Sequence, residues 1–400
     1  MKNERLLLMI LAAGMFTHIM DFMIMMPLGP QLMRLFDITP QQFSLLVASY
    51  TVTAGIAGFL AAFLIDRFDR KRVLIFIYTG FAIGTLACAF APTYGFLLIT
   101  RSLTGGFGGV LGALILSMVS DIVPLERRAK GIGTIMASFG LASVLGVPFG
   151  LFIASKSSWH APFLFLGILA FVVNALIVAF MPSMTGHLKE KHASPLEVLS
   201  NIFGNPNARL GLTFTSSLML GHFTIIPFIA PYMVGNVGFT EGQLALIYFV
   251  GGACIIFFAP WVGKMADKHG RLKIFTIFGT LVIIPILIIT NLSPVPIWTV
   301  LVISAVFFIF SNGRMVPSTT METAIIKPEN RGSYMSIRSS VQQLTSGLAS
   351  FVAGLIITER APIFGQAKAL VNFNYVGVIA VTFSVLSLFI ARRLTVEQGA

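Results

Sequence analysis

The sequence contains very little charge: Asp, Glu, Lys and Arg make up 10% of its 400 residues, whereas hydrophobic residues make up 56%. A soluble domain carries about 25% charged residues. Together with a mean hydropathy of +0.89, this scarcity excludes extracellular, fibrous and disordered proteins, because no water-soluble fold hides so much apolar surface. Cysteine is also scarce. The two cysteines, Cys88 and Cys254, fall within apolar runs, so no disulfide framework is implied.

The sequence motifs of common enzymes and pumps are missing as well. Neither H-E-x-x-H nor G-x-S-x-G occurs, and no cluster of metal ligands lies within the apolar segments. No glycine run is followed by Lys-Ser or Lys-Thr, which a phosphate-binding loop requires. We therefore expect neither an enzyme nor a nucleotide-driven pump, and no metal or resident cofactor.

What the sequence does contain is a series of twelve apolar segments long enough to cross a bilayer as helices. They predict an all-α membrane protein with transmembrane helices near 6–30, 42–64, 73–92, 95–121, 132–154, 161–182, 210–234, 242–262, 273–291, 296–322, 335–357 and 371–391. The polar stretch 183–208 separates two predicted six-helix bundles, 1–182 and 209–400, and we interpret it as a cytoplasmic linker.

The distribution of Lys and Arg predicts the orientation. Of 27 such residues, 20 lie on the face that carries the termini, four on the other face and three inside predicted helices. By the positive-inside rule both termini are cytoplasmic, in a plasma (inner) membrane. The net charge of +12 then serves topology, so nucleic acid is not expected as a partner. The expected partners are the lipid bilayer, protons and a small-molecule solute, and the protein is expected to be a monomer.

Two loops repeat at matched positions of the predicted halves. Asp66-Arg-Phe-Asp-Arg70 follows the second segment, and Asp267-Lys-His-Gly-Arg271 follows the eighth, at an offset of 201 residues. Pro124-Leu-Glu-Arg127 and Pro328-Glu-Asn-Arg331 repeat at an offset of 204. A tandem repeat of six helices predicts two halves in the same orientation around a shared central cavity.

These loops carry a resemblance to the major facilitator superfamily. The segment from Gly263 to Arg271 matches its loop signature, G-x-x-x-D-[RK]-x-G-R, while the first copy keeps the Asp and Arg but lacks both glycines. Asp21 with Pro27 and Pro30 resembles helix 1 of the drug and sugar efflux branch. The resemblance implies a twelve-helix secondary transporter.

The segment Gly146-Val-Pro148-Phe-Gly150 resembles the helix 5 signature of proton-coupled exporters. Small residues at this spacing let membrane helices approach closely. Two interpretations remain open: pure helix packing, or a hinge or antiporter seal at Pro148.

The resemblance also implies a cytoplasmic gate built from charges at helix ends. We expect Arg70 to bind Asp121, and Arg271 to bind Glu322. The predicted gate residues are Asp66, Arg70, Asp121, Gly263, Asp267, Gly270, Arg271 and Glu322.

Asp21 is the one acidic residue deep within an apolar segment. A charged carboxylate there costs about 2.5–3.5 kcal/mol on insertion scales, so a function is expected. At 1.5 Å per residue, Asp21 and Arg101 lie roughly 14 and 10 Å below the same face, which makes Arg101 the expected counter-ion. His18 lies one turn before Asp21 and is a candidate proton relay. The alternative is a purely structural Asp–Arg pair.

Polar residues of the second half predict a solute site. Arg314 lies inside a predicted helix, and such an Arg usually faces the bundle interior, where it holds an anionic or hydroxyl-bearing solute. Arg338 lies closer to the cytoplasmic end and is expected to snorkel. The predicted cavity residues are Met25, Tyr50, His222, Phe223, Asn312, Arg314 and Gln342.

The function predicted from the sequence is secondary active transport of a small organic solute by alternating access, in the form of proton-coupled efflux of the drug or sugar antiporter type. The alternative within the same class is a uniporter, or a proton-coupled importer, in which the Asp21–Arg101 pair is structural. Collapse of the proton gradient separates the uniporter from the coupled transporters.

Overall fold

The computed structural model of the chain describes residues 2–124, 127–186, 195–326, 331–365 and 367–394. Residues 2–124 and 127–186 contain eight α-helices, with a 3-10 turn after α3 and a π-turn between α6 and α7. The helices are α1 (Lys2–Ile24), α2 (Gly29–Leu35), α3 (Pro40–Leu64), α4 (Arg70–Ala89), α5 (Tyr94–Ile122), α6 (Arg128–Leu141), α7 (Val147–Lys156) and α8 (His160–Phe180).

The later described ranges contain nine more α-helices and one small sheet. The helices are α9 (Pro195–Gly204), α10 (Pro206–Phe223), α11 (Ile226–Tyr232), α12 (Glu241–His269), α13 (Arg271–Leu281), α14 (Ile283–Thr290), α15 (Ile297–Ala324), α16 (Arg331–Ile356) and α17 (Phe373–Ala391). Strands β1 (Thr358–Arg360) and β2 (Ala369–Val371) pair antiparallel, with Glu359 opposite Leu370. This hairpin is a small departure from the predicted all-α fold.

Eleven segments of the described chain are long and apolar enough to cross a membrane. They correspond to eleven of the twelve predicted segments. The remaining one, 335–357, coincides with α16, which is 26 residues long but carries many Ser, Gln and Arg residues. The fold is therefore a helical, multi-pass membrane protein, and the count of twelve spans in two repeats stays a prediction.

Several predicted helices are interrupted where proline removes a backbone donor. The first predicted helix, 6–30, ends at Ile24, and α2 starts at Gly29 with Pro30 in its first turn. The seventh is broken between α10 and α11, and Pro227 lies in the first turn of α11. Both breaks lie past the middle of their predicted helix.

Two helices begin with the same capping box. Thr39 caps α3, and its own N–H donates to Gln42 Oε1 at 2.9 Å. Thr240 caps α12, and its N–H donates to Gln243 Oε1 at 2.9 Å. Each box satisfies orphan donors of a helix start. The two boxes are 201 residues apart, which is the offset of the first loop motif.

Glycines allow α3 to pack closely against two helices. A Cβ at Gly105 or Gly109 of α5 would strike the backbone of Tyr50 or Ala54 in α3. On another side of α3, a Cβ at Gly55 would strike Leu344 of α16. Gly105 and Gly109 therefore let α5 approach α3 closely. Gly112 of the same helix has no such role, because a Cβ there would meet nothing within 4 Å.

The apolar core differs between the two ends of the bundle. We call the end with the start of α1 and the end of α17 the terminal face, and the other end the distal face. One cluster towards the distal face contains buried residues of both halves, including Ile24, Phe43, Phe228 and Phe373. Towards the terminal face, every cluster draws its buried residues from one half only. The halves are therefore sealed together at the distal face.

The predicted linker 183–208 is partly helical. It contains α9, and α10 already starts at Pro206, because Asn205 caps it by accepting from the N–H groups of Asn207 and Ala208. Residues 187–194, the most charged part of the predicted linker, lie outside the described residues.

Candidate functional site

The predicted Asp21–Arg101 pair is present as a direct contact between α1 and α5. Arg101 Nη1 lies 2.8 Å from Asp21 Oδ2. Thr85 of α4 donates its hydroxyl to the other carboxylate oxygen at 3.2 Å. Both charged residues are completely buried. A buried ion pair persists only with good geometry and additional hydrogen bonds, which this arrangement supplies.

Aromatic side chains surround the guanidinium of Arg101. Its Cζ atom lies 4.4 Å from the ring centre of Tyr50 and 5.9 Å from that of Phe163. Cation–π contact of this kind is strong where water is excluded. The Nε atom of Arg101 has no hydrogen-bond partner among the described residues. Asp21 is therefore the carboxylate on which this buried cation depends.

His18 is connected to the pair through Tyr50. The Tyr50 hydroxyl lies 3.3 Å from His18 Nδ1, and the tautomer decides which of them donates. His18 is half-buried, whereas Tyr50 is fully buried. A Cβ at Gly108 would meet both the Tyr50 hydroxyl and the His18 ring. The glycine thus leaves the space in which these two groups meet, and the proton-relay role of His18 stays a prediction.

In the second half, Arg314 is buried, and no carboxylate of the described residues pairs with it. Its Nη1 donates to Ser384 Oγ of α17 at 2.9 Å, and only 1% of its surface is exposed. Its Nε and Nη2 atoms have no partner in the part of the chain that the structure describes. His222 lies within electrostatic range of Arg314 and stacks on Phe307, with ring centres 6.5 Å apart.

The remaining predicted cavity residues are dispersed. Met25 is buried in the shared distal cluster. Phe223 contacts the His222 ring and, across the halves, Phe22 of α1 at 6.2 Å between ring centres. Asn312 donates to a carbonyl of its own helix, at Phe308. Gln342 accepts from Arg338 Nη1 at 3.3 Å. These side chains do not form one hydrogen-bonded group with Arg314.

The first half of the predicted gate has the expected contact. Arg70 Nη1 lies 2.5 Å from Asp121 Oδ2 at the terminal face. Asp66 lies in the 3-10 turn Ile65–Arg67, and its side chain is outside those described. Where the signature has its second glycine, the first half has Asp69, which caps α4 and accepts hydrogen bonds from Lys71, Ser183 and Met184.

These bonds change the acidity of Asp69. Burial would raise its pKa, but the N–H groups of Met184 and Lys71 and the Ser183 hydroxyl outweigh burial and hold the pKa below its usual range. The departure from the signature therefore has a structural role, because Asp69 ties the start of α4 to the chain that leaves α8.

In the second half of the predicted gate, the expected pairing of Glu322 with Arg271 is wrong. Glu322 is fully buried and binds Arg338, whose Nε and Nη2 lie 2.6 and 2.5 Å from Oε2. Thr215 of α10 donates to Oε1. Arg271 is exposed. Arg338 therefore does not snorkel, because Glu322 and Gln342 hold it inside the bundle.

The other signature residues of this loop lie at the surface. Asp267 is exposed, and Gly263 is half-buried near Val316. Gly270 ends α12 with φ +93° and donates its N–H to the Ala266 carbonyl at 3.0 Å. Side chains with a Cβ rarely adopt this conformation, so the glycine of the signature is required by backbone geometry here.

The predicted hinge coincides with an irregular helix. The π-turn Ala142–Gly146 separates α6 from α7, and Pro148 lies in the first turn of α7. A Cβ at Gly146 would lie 3.0 Å from Met20 Sδ, and one at Gly150 would lie 2.7 Å from Ile24 Cδ1. Pro148 has no N–H to donate to the helix, and the π-turn lies directly before it. The two glycines let α7 approach α1 closely.

The contacts that close the distal face were not predicted from the sequence. Glu241 of α12 accepts from Arg34 and Gln31 of α2, both at 2.6 Å. Lys368 binds Asp37 of the other half at 2.9 Å and Glu359 at 3.2 Å. Its hydrogen bonds to Asp37 and Glu359 raise the pKa of Lys368. The sequence shows only that charged residues lie near these helix ends, and it does not indicate which of them form pairs.

Thr85, Thr215 and Ser384 were missed as partners of the buried charges. Each is a small hydroxyl residue in an apolar helix, and such residues usually bond to their own helix. Each of the three is fully buried. Their sequence context alone does not reveal which of them faces a charge.

The family model described as Major Facilitator Superfamily matches residues 11–222 and 211–398. The Bacillus subtilis (strain 168) protein "Uncharacterized MFS-type transporter YceJ" is 23% identical over 344 residues, which are 86% of this chain and 87% of that protein. The "Probable sugar efflux transporter" of Helicobacter acinonychis (strain Sheeba) is 22% identical over 368 residues, or 91% and 89% of the two chains. For another B. subtilis relative, YcnB, the match spans 54% of its length.

Solved structures of other transporters have the same fold. The "D-xylose-proton symporter" superposes with a TM-score of 0.78 at 16% identity and covers 96% of both chains. The bacterial homologue of the human lysosomal transporter Spinster, in its inward-facing and occupied conformation, superposes with a TM-score of 0.75 at 16% identity over 98% of both chains. The family expected from the loop motifs is confirmed: this chain belongs to the major facilitator superfamily and is a multi-pass membrane transporter of small solutes.

Proposed function

We propose that this protein is a proton-coupled exporter in which Asp21 alternates between binding a proton and pairing, as a carboxylate, with Arg101. The observation that carries the proposal is the fully buried ion pair between α1 and α5. A carboxylate at this depth is costly and is retained where it carries protons or substrates. That the protein transports a small solute follows from its family and not from this ion pair.

The pair has two charge states with different partners. With Asp21 ionised, Arg101 is bound and α1, α4 and α5 are held together by Asp21 and Thr85. A proton on Asp21 removes the attraction and leaves Arg101 with the ring of Tyr50. His18, half-buried and bonded to Tyr50, is then the group through which protons reach the pair. Proton binding thereby favours a rearrangement of the helices around the central interface.

The conformational change is a rocking of two six-helix halves. The distal contacts between α2 and α12, and the shared distal cluster, break when the opposite side closes. One inward proton supplies about 2.3 kcal/mol per 100 mV of membrane potential and about 1.4 kcal/mol per pH unit. This energy is sufficient for solute accumulation without ATP.

Export is the direction that the sequence relatives favour, because the H. acinonychis relative is named a probable sugar efflux transporter. We further propose that both termini are cytoplasmic in the inner membrane and that the protein acts as a monomer. The excess of Lys and Arg on the terminal face supports this orientation.

The test uses the purified full chain in liposomes that contain a pH-sensitive dye. Cationic drugs, sugars and organic anions are added in turn to the wild type and to Asp21→Asn. Glu4→Gln is the matched control, since it also converts a carboxylate to an amide, but in an exposed pair with Arg127. We expect solute-dependent proton movement in the wild type and in Glu4→Gln, and its loss in Asp21→Asn.

The opposite result has a clear meaning. If solute moves equally in all three proteins and no proton signal accompanies it, the protein is a uniporter and the Asp21–Arg101 pair is structural. If protons move with the solute rather than against it, the protein is an importer.

A further inference from the structure

The second half contains a buried cation, Arg314, with no anionic partner among the described residues. Arg314 is 1% exposed, and in the described ranges its Nε and Nη2 find no hydrogen-bond acceptor. A buried guanidinium without an anion is costly, because its hydration is lost and nothing replaces it. The single bond to the Ser384 hydroxyl satisfies only Nη1.

The two unpaired nitrogens form one edge of the guanidinium. Their N–H bonds point in the same direction, which is the geometry that binds both oxygens of a carboxylate. The same protein turns this edge of an arginine to a carboxylate elsewhere: Arg338 Nε and Nη2 lie 2.6 and 2.5 Å from one oxygen, Oε2, of Glu322. In Arg314 the corresponding edge faces no carboxylate of the described residues.

Three further polar groups are buried without a hydrogen-bond partner among the described residues: two serine hydroxyls on the same face of α15 as Arg314, and one nitrogen of His222. Ser304, Ser311 and Arg314 recur at the spacing of one face of α15, and both serine hydroxyls are buried without a partner among the described residues. His222 stacks on Phe307, which belongs to that face, and its buried Nδ1 is also unpaired in the described chain. The site therefore offers a bidentate cation, hydroxyl donors and an aromatic wall.

The first half provides a carboxylate for its buried arginine, and the corresponding position of the second half does not. In the first half the buried Arg101 receives its carboxylate from Asp21. The residue 201 positions later, at the offset of the loop and capping motifs, is His222. The second half thus has a histidine at the offset of the aspartate, while its buried arginine, Arg314, lies 213 residues after Arg101.

We infer that the Nε–Nη2 edge of Arg314 binds a carboxylate group of the solute, so that the transported molecule is an organic acid. The inference rests on the proposed transport function and specifies its substrate class. Ser311 donates a further hydrogen bond to the carboxylate, and Phe307 with His222 packs against the organic part of the solute.

The experiment measures binding to the purified full chain at constant pH and without a membrane gradient. The probes are benzoate and acetate, each compared with its neutral amide, benzamide or acetamide. Affinity is measured by calorimetry and by the ligand-induced shift in Tm. The variants are Arg314→Gln, which removes the cation, and Arg314→Lys, which keeps the charge but lacks the parallel edge. Arg392→Gln is the control, because it removes one cation that lies at the end of α17 against Phe389.

We expect the wild type and Arg392→Gln to bind the acids and to bind the amides much more weakly. Arg314→Gln is expected to bind benzoate about 10-fold to 100-fold more weakly, and Arg314→Lys about 10-fold more weakly. Equal binding of acids and amides, or no response to the acids at all, overturns the inference. So does acid binding that is unchanged in Arg314→Lys; this variant keeps the test valid if Arg314→Gln does not fold.

The inference and the proposed function fail in different ways. Acid binding that depends on Arg314, without proton movement in liposomes, leaves the inference intact and removes the proton coupling. Proton-coupled movement of a neutral sugar that is unchanged in Arg314→Lys leaves the coupling intact and removes the organic-acid assignment.

Discussion

Replacement of Arg338 by methionine tests the pairing of Glu322 that the structure reports. Glu322 is fully buried and depends on Arg338 and on the Thr215 hydroxyl for its hydrogen bonds. Removing one partner of such a pair leaves an uncompensated buried charge, which costs about 3–5 kcal/mol. We expect Arg338→Met and Glu322→Leu each to lower the free energy of unfolding by this amount.

The double variant distinguishes a pair from two independent contributions. Apolar residues of similar volume in place of both charges are often neutral or stabilising. The variant Glu322→Leu/Arg338→Met is therefore expected to be more stable than either single variant. The coupling energy, which is the difference between the double-variant effect and the sum of the two single effects, is expected to exceed the value of about 3 kcal/mol that marks the upper end for neighbouring residues. Arg271→Gln is the control. Arg271 is exposed, so its replacement is expected to change stability by less than about 0.5 kcal/mol.

The assay is unfolding of the purified protein in mixed micelles, followed by circular dichroism. The reasoning is refuted if the two single effects add in the double variant. It is also refuted if Arg271→Gln destabilises as much as Arg338→Met, because that result restores the Arg271–Glu322 pairing expected from the loop signature.

Three further predictions concern packing, the cap of α4 and the distal seal. Gly109→Val is expected to destabilise by about 1–3 kcal/mol, since its side chain would strike the backbone of Ala54; the same change at Gly112, which faces open space, should be nearly neutral, and equal losses of Tm would contradict the packing. Asp69→Ala removes a helix cap and is expected to cost about 0.5–2 kcal/mol at pH 7. Because the folded-state pKa of Asp69 is depressed, its contribution is present above the unfolded value, near 3.9, and is lost as the pH falls through the folded pKa; the wild type and variant should therefore converge in Tm in acid, and a constant difference would be inconsistent with an ionised cap. Glu241→Gln weakens a partly exposed inter-half pair worth roughly 0–1 kcal/mol, so it should raise the open fraction at the distal face by at most about fivefold, measured by labelling of an introduced cysteine; unchanged labelling would show that the apolar cluster alone seals this face.

Much of the fold followed from composition and periodicity. Long apolar segments must become helices in lipid, whatever their neighbours, because no water is present to satisfy the backbone. Eleven of the predicted segments are confirmed as candidate spans. The heights of Asp21 and Arg101 also followed from the sequence, since the rise per residue of a helix is constant, and the two side chains are in contact.

The errors have one common cause. Arg271 is the first residue of α13, and Arg338 lies two turns into α16. Position along a helix does not say which side of the helix a residue occupies or what is packed there. Neighbouring helices made the choice: α16 turns Arg338 inward to the carboxylate, while Arg271 remains at the surface. The similarity of the two loop motifs suggested Arg271 as the partner of Glu322, by analogy with Arg70 and Asp121, and this was wrong.

Sequence alone determined which segments are helical, which face carries the positive charge and how deep each buried charge lies, because these depend on residue type and on a constant helical rise. Tertiary structure alone decided the rotation of each helix and therefore the partners: His18 with Tyr50, Glu322 with Arg338, and Arg314 with Ser384, its one hydrogen-bond partner among the described residues. Rotation is set by close packing between helices, as at Gly109 against Ala54, and this packing involves residues far apart in the chain.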